Sequence, residues 1–435
     1  MLRSIDIRGI SLGADELAAY LPRAQLDIEQ AVKIVRPLMD DVRQRGQQAI
    51  EDISLRLDGI SPTHLRVTQQ ELSASLDNLD RDVRTALELS IEHNWQGHSQ
   101  QLPEEKTTQI IPGGHITQRW IPVRRVGLYV PGGLAAYPSS VVMNVVAARV
   151  AGVESIAVVS PPQKHFDGSV HPTILAACAL LGIDEVYAVG GAQAVAMLAY
   201  GVESLECEKV DVITGPGNIY VAAAKRLATA VCGIDAEAGT TEIAVIADDS
   251  ADPEFVAADL LSQAEHDPAA ASVLITPSSR FAQEVHRAIT EQASTTKHTQ
   301  RVHTALTGPQ SGIIIVDDMD QAISVANAYG AEHLEIHTRA ALEVSKKIHN
   351  AGAIFIGPYS PVPLGDYMAG SNHVLPTGGT ARYAAGLSVM AFIKPVQVIH
   401  YTKDALAQLA QPLTALANSE DLPAHGDAVN IRYQS

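Results

Sequence analysis

The sequence predicts an α/β fold built on parallel sheets, and three observations carry that prediction. Short apolar runs such as Val126-Gly-Leu-Tyr-Val130 and Glu242-Ile-Ala-Val-Ile-Ala247 recur, each followed by a turn and a helical stretch. That rhythm belongs to strands that pair in parallel and are covered by helices on both faces. Several strand ends run into glycine-rich turns that open helices: Pro131-Gly-Gly133, Gly190-Gly-Ala-Gln193 and Gly215-Pro-Gly-Asn218. Finally, 435 residues are too many for one hydrophobic core, so two or more domains are expected.

Taken in order, residues 1–108 read as a charged helical region. Residues 27–43 place apolar side chains at three- and four-residue spacings, with Pro37 as a kink or break. A second amphipathic helix is expected over 81–94. No chemistry is visible here, and the region reads as scaffold or dimerisation surface.

Residues 109–238 read as a first Rossmann-like α/β domain. Strands are expected at 126–130, 155–159, 185–189 and 210–214, with helices between them. Its glycine-rich turns can bring backbone N–H groups and a helix dipole against a phosphate. Ligands of open parallel sheets bind at the carboxyl ends of the strands. None of the turns is G-x-G-x-x-G, so they do not by themselves identify a dinucleotide. Tyr129, Gln193 and Asn218 sit at or beside them, placed to hydrogen-bond or stack on a ligand.

Residues 239–375 read as a second Rossmann-like domain. Strands are expected at 242–247, 271–276, 312–316, 333–337 and 353–356, helices at 280–290 and 319–329, and a polar loop at 290–303. The helix that follows the first of these strands opens with an Asp252 cap, Pro253 at its first position and an acidic first turn. If it continues, Gln263 and His266 share one face and are a plausible ligand pair for a borderline cation such as zinc. The competing reading is a polar helix end. Glu332 and His333 set a carboxylate beside an imidazole at a helix–strand junction, which suits proton transfer; a surface pair is the alternative. Residues 357–373 form a Gly- and Pro-rich loop that carries Asp366 and His373, two candidates for ligation or proton transfer. Residues 376–435 read as a C-terminal tail, with a strand at 396–400 and a helix at 403–418. The tail ends in Glu420-Asp-Leu-Pro-Ala-His425.

Charge and composition narrow the partners. The formal net charge is −18, from 31 basic and 49 acidic residues. Such a surface disfavours nucleic acid and anionic membranes. The longest apolar stretch, 174–183, is too short to span a bilayer, and the first residues carry no long apolar run of the signal-peptide kind. Cys178, Cys207 and Cys232 show no C-x-x-C spacing, and an odd, low count fits a reducing cytoplasm.

These clusters together resemble the L-histidinol dehydrogenase family over nearly the whole chain. The resemblance is carried by Val126-Gly-Leu-Tyr-Val-Pro-Gly-Gly133, Val189-Gly-Gly-Ala-Gln-Ala194, Gly215-Pro-Gly-Asn218 and Leu260-Leu-Ser-Gln-Ala-Glu-His-Asp267. It continues through Ala331-Glu-His-Leu334, Gly365-Asp-Tyr367, Gly370-Ser-Asn-His-Val-Leu-Pro376 and Glu420-Asp-Leu-Pro-Ala-His425. It implies zinc, one ion per subunit, held by Gln263, His266, Asp366 and His425. It implies an acid–base pair, Glu332 and His333, and NAD contacts at Tyr129, Gln193 and Asn218. The substrate, L-histidinol, would meet Thr241, His373, Glu420, His333 and the zinc ligands. Family members are homodimers whose C-terminal tail crosses to the partner, so Glu420 and His425 would complete the neighbour's site. The implied reaction oxidises L-histidinol to L-histidine through the aldehyde with two NAD, the last two steps of histidine biosynthesis. Another zinc- and NAD-dependent alcohol dehydrogenase of the same superfamily, acting for example on a sulfonated diol, is the alternative. A metal-dependent hydrolase would also use zinc with Glu and His, but the three glycine-rich turns argue against it.

One departure is visible. The family reads Ala-Gly-Pro, then Ser or Thr, then Glu, whereas this chain has Ala238-Gly-Thr-Thr-Glu242. Thr240 in place of Pro loosens the turn and adds a backbone donor. The expected effect on substrate positioning is modest. A Thr240→Pro variant should turn over within an order of magnitude of the parent, and a kcat changed by several orders would refute this.

Overall fold

The computed structural model describes residues 2–10, 13–24, 27–60, 62–132, 135–237 and 239–433. Gly133 of the first glycine-rich turn and Ala238 of the departing motif lie outside the described residues. The described chain forms two compact units. One comprises residues 1–101 and 124–392, and the other residues 102–123 and 393–435.

The first unit contains two parallel sheets. The larger has six strands in the spatial order Arg3–Asp6, Gly312–Ile315, Ala271–Thr276, Glu242–Ala247, His333–His337, Ala353–Ile356. The chain steps outward from Glu242–Ala247 in one direction and then returns to its other side, so connections reverse beside that strand. Every residue of Glu242–Ala247 is buried, as central position requires. Ile243, Val245 and Ala247 pack with Val256, Ala257 and Leu260 of the helix Pro253–Ala264. Ala244 and Ile246 face the opposite way, towards Ala322, Val325 and Ala326 of the helix Met319–Tyr329. Each Ile, Val or Leu fully buried in these layers contributes about 1.5–3 kcal/mol.

The smaller sheet runs Val186–Ala188, Ser155–Ser160, Arg125–Tyr129, Val212–Thr214, Gly233–Ile234, all parallel. Tyr129 ends one of these strands, and Gln193 and Asn218 follow the carboxyl ends of two others. Gly215 has φ of 112°, and a Cβ there would stand 2.0 Å from the Tyr129 carbonyl oxygen, so only glycine fits. A buried ion pair grips this turn. Lys225 Nζ pairs with Asp235 and donates to the Gly215 carbonyl at 3.0 Å, while Asp235 accepts the Gly215 N–H at 2.8 Å.

The second unit is an antiparallel sheet of Ile393–Tyr401, Gly114–Pro122 and Lys106–Ile111, in that order, with the helices Lys403–Ser419 and Pro423–Asn430. The expected tail strand at 396–400 is the middle of the longer Ile393–Tyr401.

Several local expectations need correction. The helical N-terminal region begins with a strand, Arg3–Asp6, which pairs in parallel with Gly312–Ile315. It escapes a periodicity reading because it is an exposed, charged edge of four residues. Residues 106–122, spread over the end of the helical region and the start of the first α/β domain, form two strands of the antiparallel sheet. The helix Ile28–Arg45 runs unbroken through Pro37. The supposed loop at 290–303 holds the end of one helix, Ser279–Ala293, and most of another, Thr299–Thr307. Val302, Ala305 and Leu306 bury one face of the latter, which outweighs its polar composition. The Gly- and Pro-rich segment contains a short helix, Val362–Tyr367.

Removing one partner of a buried pair strands the other charge. Lys225→Met should therefore cost about 3–5 kcal/mol, and adding Asp235→Leu should recover only part of that, because it strips the Gly215 N–H of its acceptor. The denaturation midpoints of both variants measure this, and equal midpoints for the single variant and the parent would refute it.

Candidate active site

Parallel pairing builds the site. The strands Glu242–Ala247 and His333–His337 lie side by side with His333 opposite Ile243. Thr241 and Glu332, the residues just before the two strands, therefore meet at the amino edge of the sheet. The Glu332 carboxylate accepts the Thr241 hydroxyl at 2.6 Å and the Glu242 N–H at 2.9 Å. Thr241 Oγ1 in turn accepts Gln263 Nε2 at 2.6 Å. Burial pushes the Glu332 carboxyl up to about 7, against the lowering effect of these two donors.

His333 is buried, and burial lowers its pKa, so the ring is neutral at pH 7. Its Nδ1 lies 3.3 Å from the Glu242 carbonyl oxygen, which only accepts. Nδ1 therefore carries the proton, and Nε2 presents a lone pair. That Nε2 has no hydrogen-bond partner and lies 4.0 Å from Asp366 Oδ1. Neutral His333 is thus held as a base beside a raised carboxyl group.

Gln263 lies near the end of the helix Pro253–Ala264, whose Asp252 cap accepts the Glu254 N–H. The helix stops at Ala264, but the His266 N–H still donates to the Gln263 carbonyl at 3.2 Å, so the turn continues and the pair stays together. Gln263 spends its amide N–H on Thr241, which leaves Oε1 buried without a partner. Asp366 sits in the helix Val362–Tyr367, and burial raises it to about 6. His266 is lowered by burial first and by its nearness to the His333 imidazole second. His373 donates from Nδ1 to the Asp366 carbonyl at 3.1 Å, and its Nε2 accepts Ser140 Oγ at 3.1 Å. Burial pushes it down to about 4, with His333 and His266 adding to the effect. One cluster thus joins Thr241, Gln263, His266, Glu332, His333, Asp366 and His373.

Sequence reasoning missed Glu242. It is buried beside Glu332, is pushed up to about 7 by burial, and pairs with Arg23 at 3.0 Å. A carboxylate opening an otherwise apolar strand was the signal available.

The residues at the smaller sheet have local work of their own. Tyr129 Oη accepts the Gly191 N–H at 3.0 Å, and Asn218 caps the helix Ile219–Ala228 through Tyr220 and Val221. Gln193 is 1% exposed, and its Oε1 has no partner. Glu420 and His425 belong to the second unit, where both are exposed.

A family model described as histidinol dehydrogenase matches residues 21–433. The chain is 56% identical over 432 residues to a histidinol dehydrogenase of Thermobifida fusca, covering 99% of this chain and 98% of the relative. It is 55% identical over 437 residues to that of Mycobacterium tuberculosis, covering 100% and 98%. A crystal structure of histidinol dehydrogenase from Elizabethkingia anophelis superposes with a TM-score of 0.92 at 31% identity, covering 100% of this chain and 98% of that one.

Proposed function

Because this chain belongs to the histidinol dehydrogenase family, we propose that it oxidises L-histidinol to L-histidine through L-histidinaldehyde, reducing two NAD. The observation that carries the chemistry is the neutral, unpartnered Nε2 of His333 beside a carboxyl group held near neutrality.

His333 Nε2 accepts the hydroxyl proton as the alcohol carbon is oxidised. Glu332 then takes a proton from the water that attacks the aldehyde, and His333, its first proton released to solvent, takes a proton from the resulting gem-diol as the second hydride passes to NAD. Thr241 holds the Glu332 carboxylate in place. Tyr129, Gln193 and Asn218 would contact NAD, the hydride acceptor, at the carboxyl edge of the smaller sheet.

The donor set suits a single zinc ion at this site. Gln263 offers a buried carbonyl oxygen with no other partner, and His266 and Asp366 stand in the same cluster. With His425 these residues would hold the ion, which when bound would fix the substrate's imidazole and amine in place. His373 and Glu420 would contact the substrate.

On this reading the chain is a homodimer in which Glu420 and His425 of each tail complete the partner's site. Exposed Ile399, Leu416 and Ile431 in the second unit support a partner surface there. No described helix is long and apolar enough to cross a membrane. The acidic surface agrees with a small substrate rather than nucleic acid, and the reading places the enzyme in the cytoplasm.

Incubation with L-histidinol should yield two NADH per substrate consumed, lost on chelation and restored by zinc. One NADH per substrate would mean that oxidation stops at the aldehyde. His333→Asn should damage both oxidations, whereas Glu332→Gln should slow aldehyde oxidation about 10²–10⁴-fold and spare the alcohol step. A Glu332→Gln enzyme with normal aldehyde oxidation would overturn the division of roles.

The pH profile follows from the same carboxyl. Glu332 acts as a base only when ionised, so aldehyde oxidation should fall as the pH drops through about 7. A nearby dication would move that limb lower, never higher. An acid limb centred well above pH 7 would assign it to another group.

A further inference from the structure

One titratable cluster is left unused by this chemistry. Asp259 lies on the helix Pro253–Ala264, one turn before Gln263. Glu335 and His337 follow His333 at alternate positions of one strand, so all three project from the same face of the sheet. Asp259, Glu335 and His337 each bring a donor atom to one point, all within 4.8 Å of one another.

The separations are informative. His337 Nε2 lies 3.3 Å from Glu335 Oε2 and 3.6 Å from Asp259 Oδ2. These are not the short contacts of charge-assisted hydrogen bonds, and neither ring nitrogen of His337 has a hydrogen-bond partner. The shorter matches the edge of a tetrahedron around a cation, about 3.3–3.4 Å for metal–ligand bonds of about 2.0–2.1 Å, and the longer exceeds that edge by about 0.2 Å. Glu335 is fully buried, with Oε1 held at 2.8 Å by the Val362 N–H and Oε2 unpartnered. His337 is 4% exposed, and its Nε2 faces both carboxylates. Two carboxylates and an imidazole form a set suited to zinc or manganese. A cavity of about 230 Å³, lined by Asp259, Phe255, Ala258, Pro358, Tyr359 and Pro361, borders the Asp259 member of the cluster.

We propose that Asp259, Glu335 and His337 form a divalent-cation site separate from the residues that surround His333. A cation there would tie the helix that carries Gln263 to the strand that carries His333, and would neutralise two carboxylates that cannot both stay charged when buried together. The inference does not rest on the zinc reading of the active site.

The test counts zinc bound per chain by atomic absorption, after the full-length protein is stripped with a chelator, reloaded with Zn²⁺ and desalted. The parent should hold about two equivalents. His337→Gln and, independently, Asp259→Asn should each lose one, with the far-ultraviolet circular dichroism of the parent. Asp366→Asn should lose the other. If the parent holds one equivalent that Asp366→Asn removes and His337→Gln keeps, the new site is wrong and the active-site zinc stands. If His337→Gln removes the single equivalent and Asp366→Asn keeps it, the new site stands and the active-site reading falls. A thermal midpoint that rises with the second equivalent in the parent, but not in His337→Gln, would support the tie between helix and strand.

Discussion

The register that sets His333 opposite Ile243 fixes nearly everything at the site. It brings the two residues that precede these strands, Thr241 and Glu332, within hydrogen-bonding reach. It also presents the Glu242 N–H to the Glu332 carboxylate and the Glu242 carbonyl to the His333 ring. Backbone groups at the start of a parallel strand are not all spent on the ladder, so they are available to orient side chains. A one-residue slip would turn His333 to the opposite face. Leu334 and Ile336 fill an apolar layer while His333, Glu335 and His337 take the alternate positions, and that difference between the two faces forbids the slip.

The two sheets contribute from opposite ends. The smaller sheet offers glycine-rich turns at the carboxyl ends of its strands, the usual place for a ligand of a parallel sheet. The larger sheet offers Glu332 and His333 at the amino ends. What joins them is the segment around residues 366–373. His373 meets Ser140, and the Asn372 side chain donates to the Met143 carbonyl at 2.8 Å. Both partners lie on the helix Pro138–Val150, which follows the strand Arg125–Tyr129. His373 is thereby positioned directly by a helix that packs with the smaller sheet.

The strand–helix rhythm and the Asp252 cap were legible because they are local. Apolar runs, glycine turns and N-cap residues report on their own neighbourhood. The clusters Gln263–His266, Glu332–His333 and Asp366–His373 were each visible as short motifs. Their convergence was not, because it depends on which strands become neighbours. The family resemblance supplied that grouping in advance of any geometry. Arg3–Asp6 and the strands at 106–122 escaped because their pairing partners lie far away in sequence or their residues are exposed. Thr299–Thr307 escaped because its burial, not its composition, makes it a helix. Glu242 escaped because a single carboxylate at a strand start does not reveal that Arg23 and Glu332 will surround it.

The strand His333–His337 shows the tension most clearly. Leu334 and Ile336 pack into one apolar layer, as a central strand requires. The other face carries His333, Glu335 and His337, all buried, where an ordinary strand would place Val or Ile. Three titratable groups in a row at that depth oppose folding unless each gains something in return. His333 and its neighbour Glu332 are compensated by the Glu242 backbone and Thr241. Glu335 has half of its carboxylate anchored by the Val362 N–H, and His337 has no hydrogen bond at either ring nitrogen. At the His333 end, the spending of apolar burial on titratable groups is met by those hydrogen bonds. The same expenditure at the other end, with donor atoms at ligand spacing, calls for a cation.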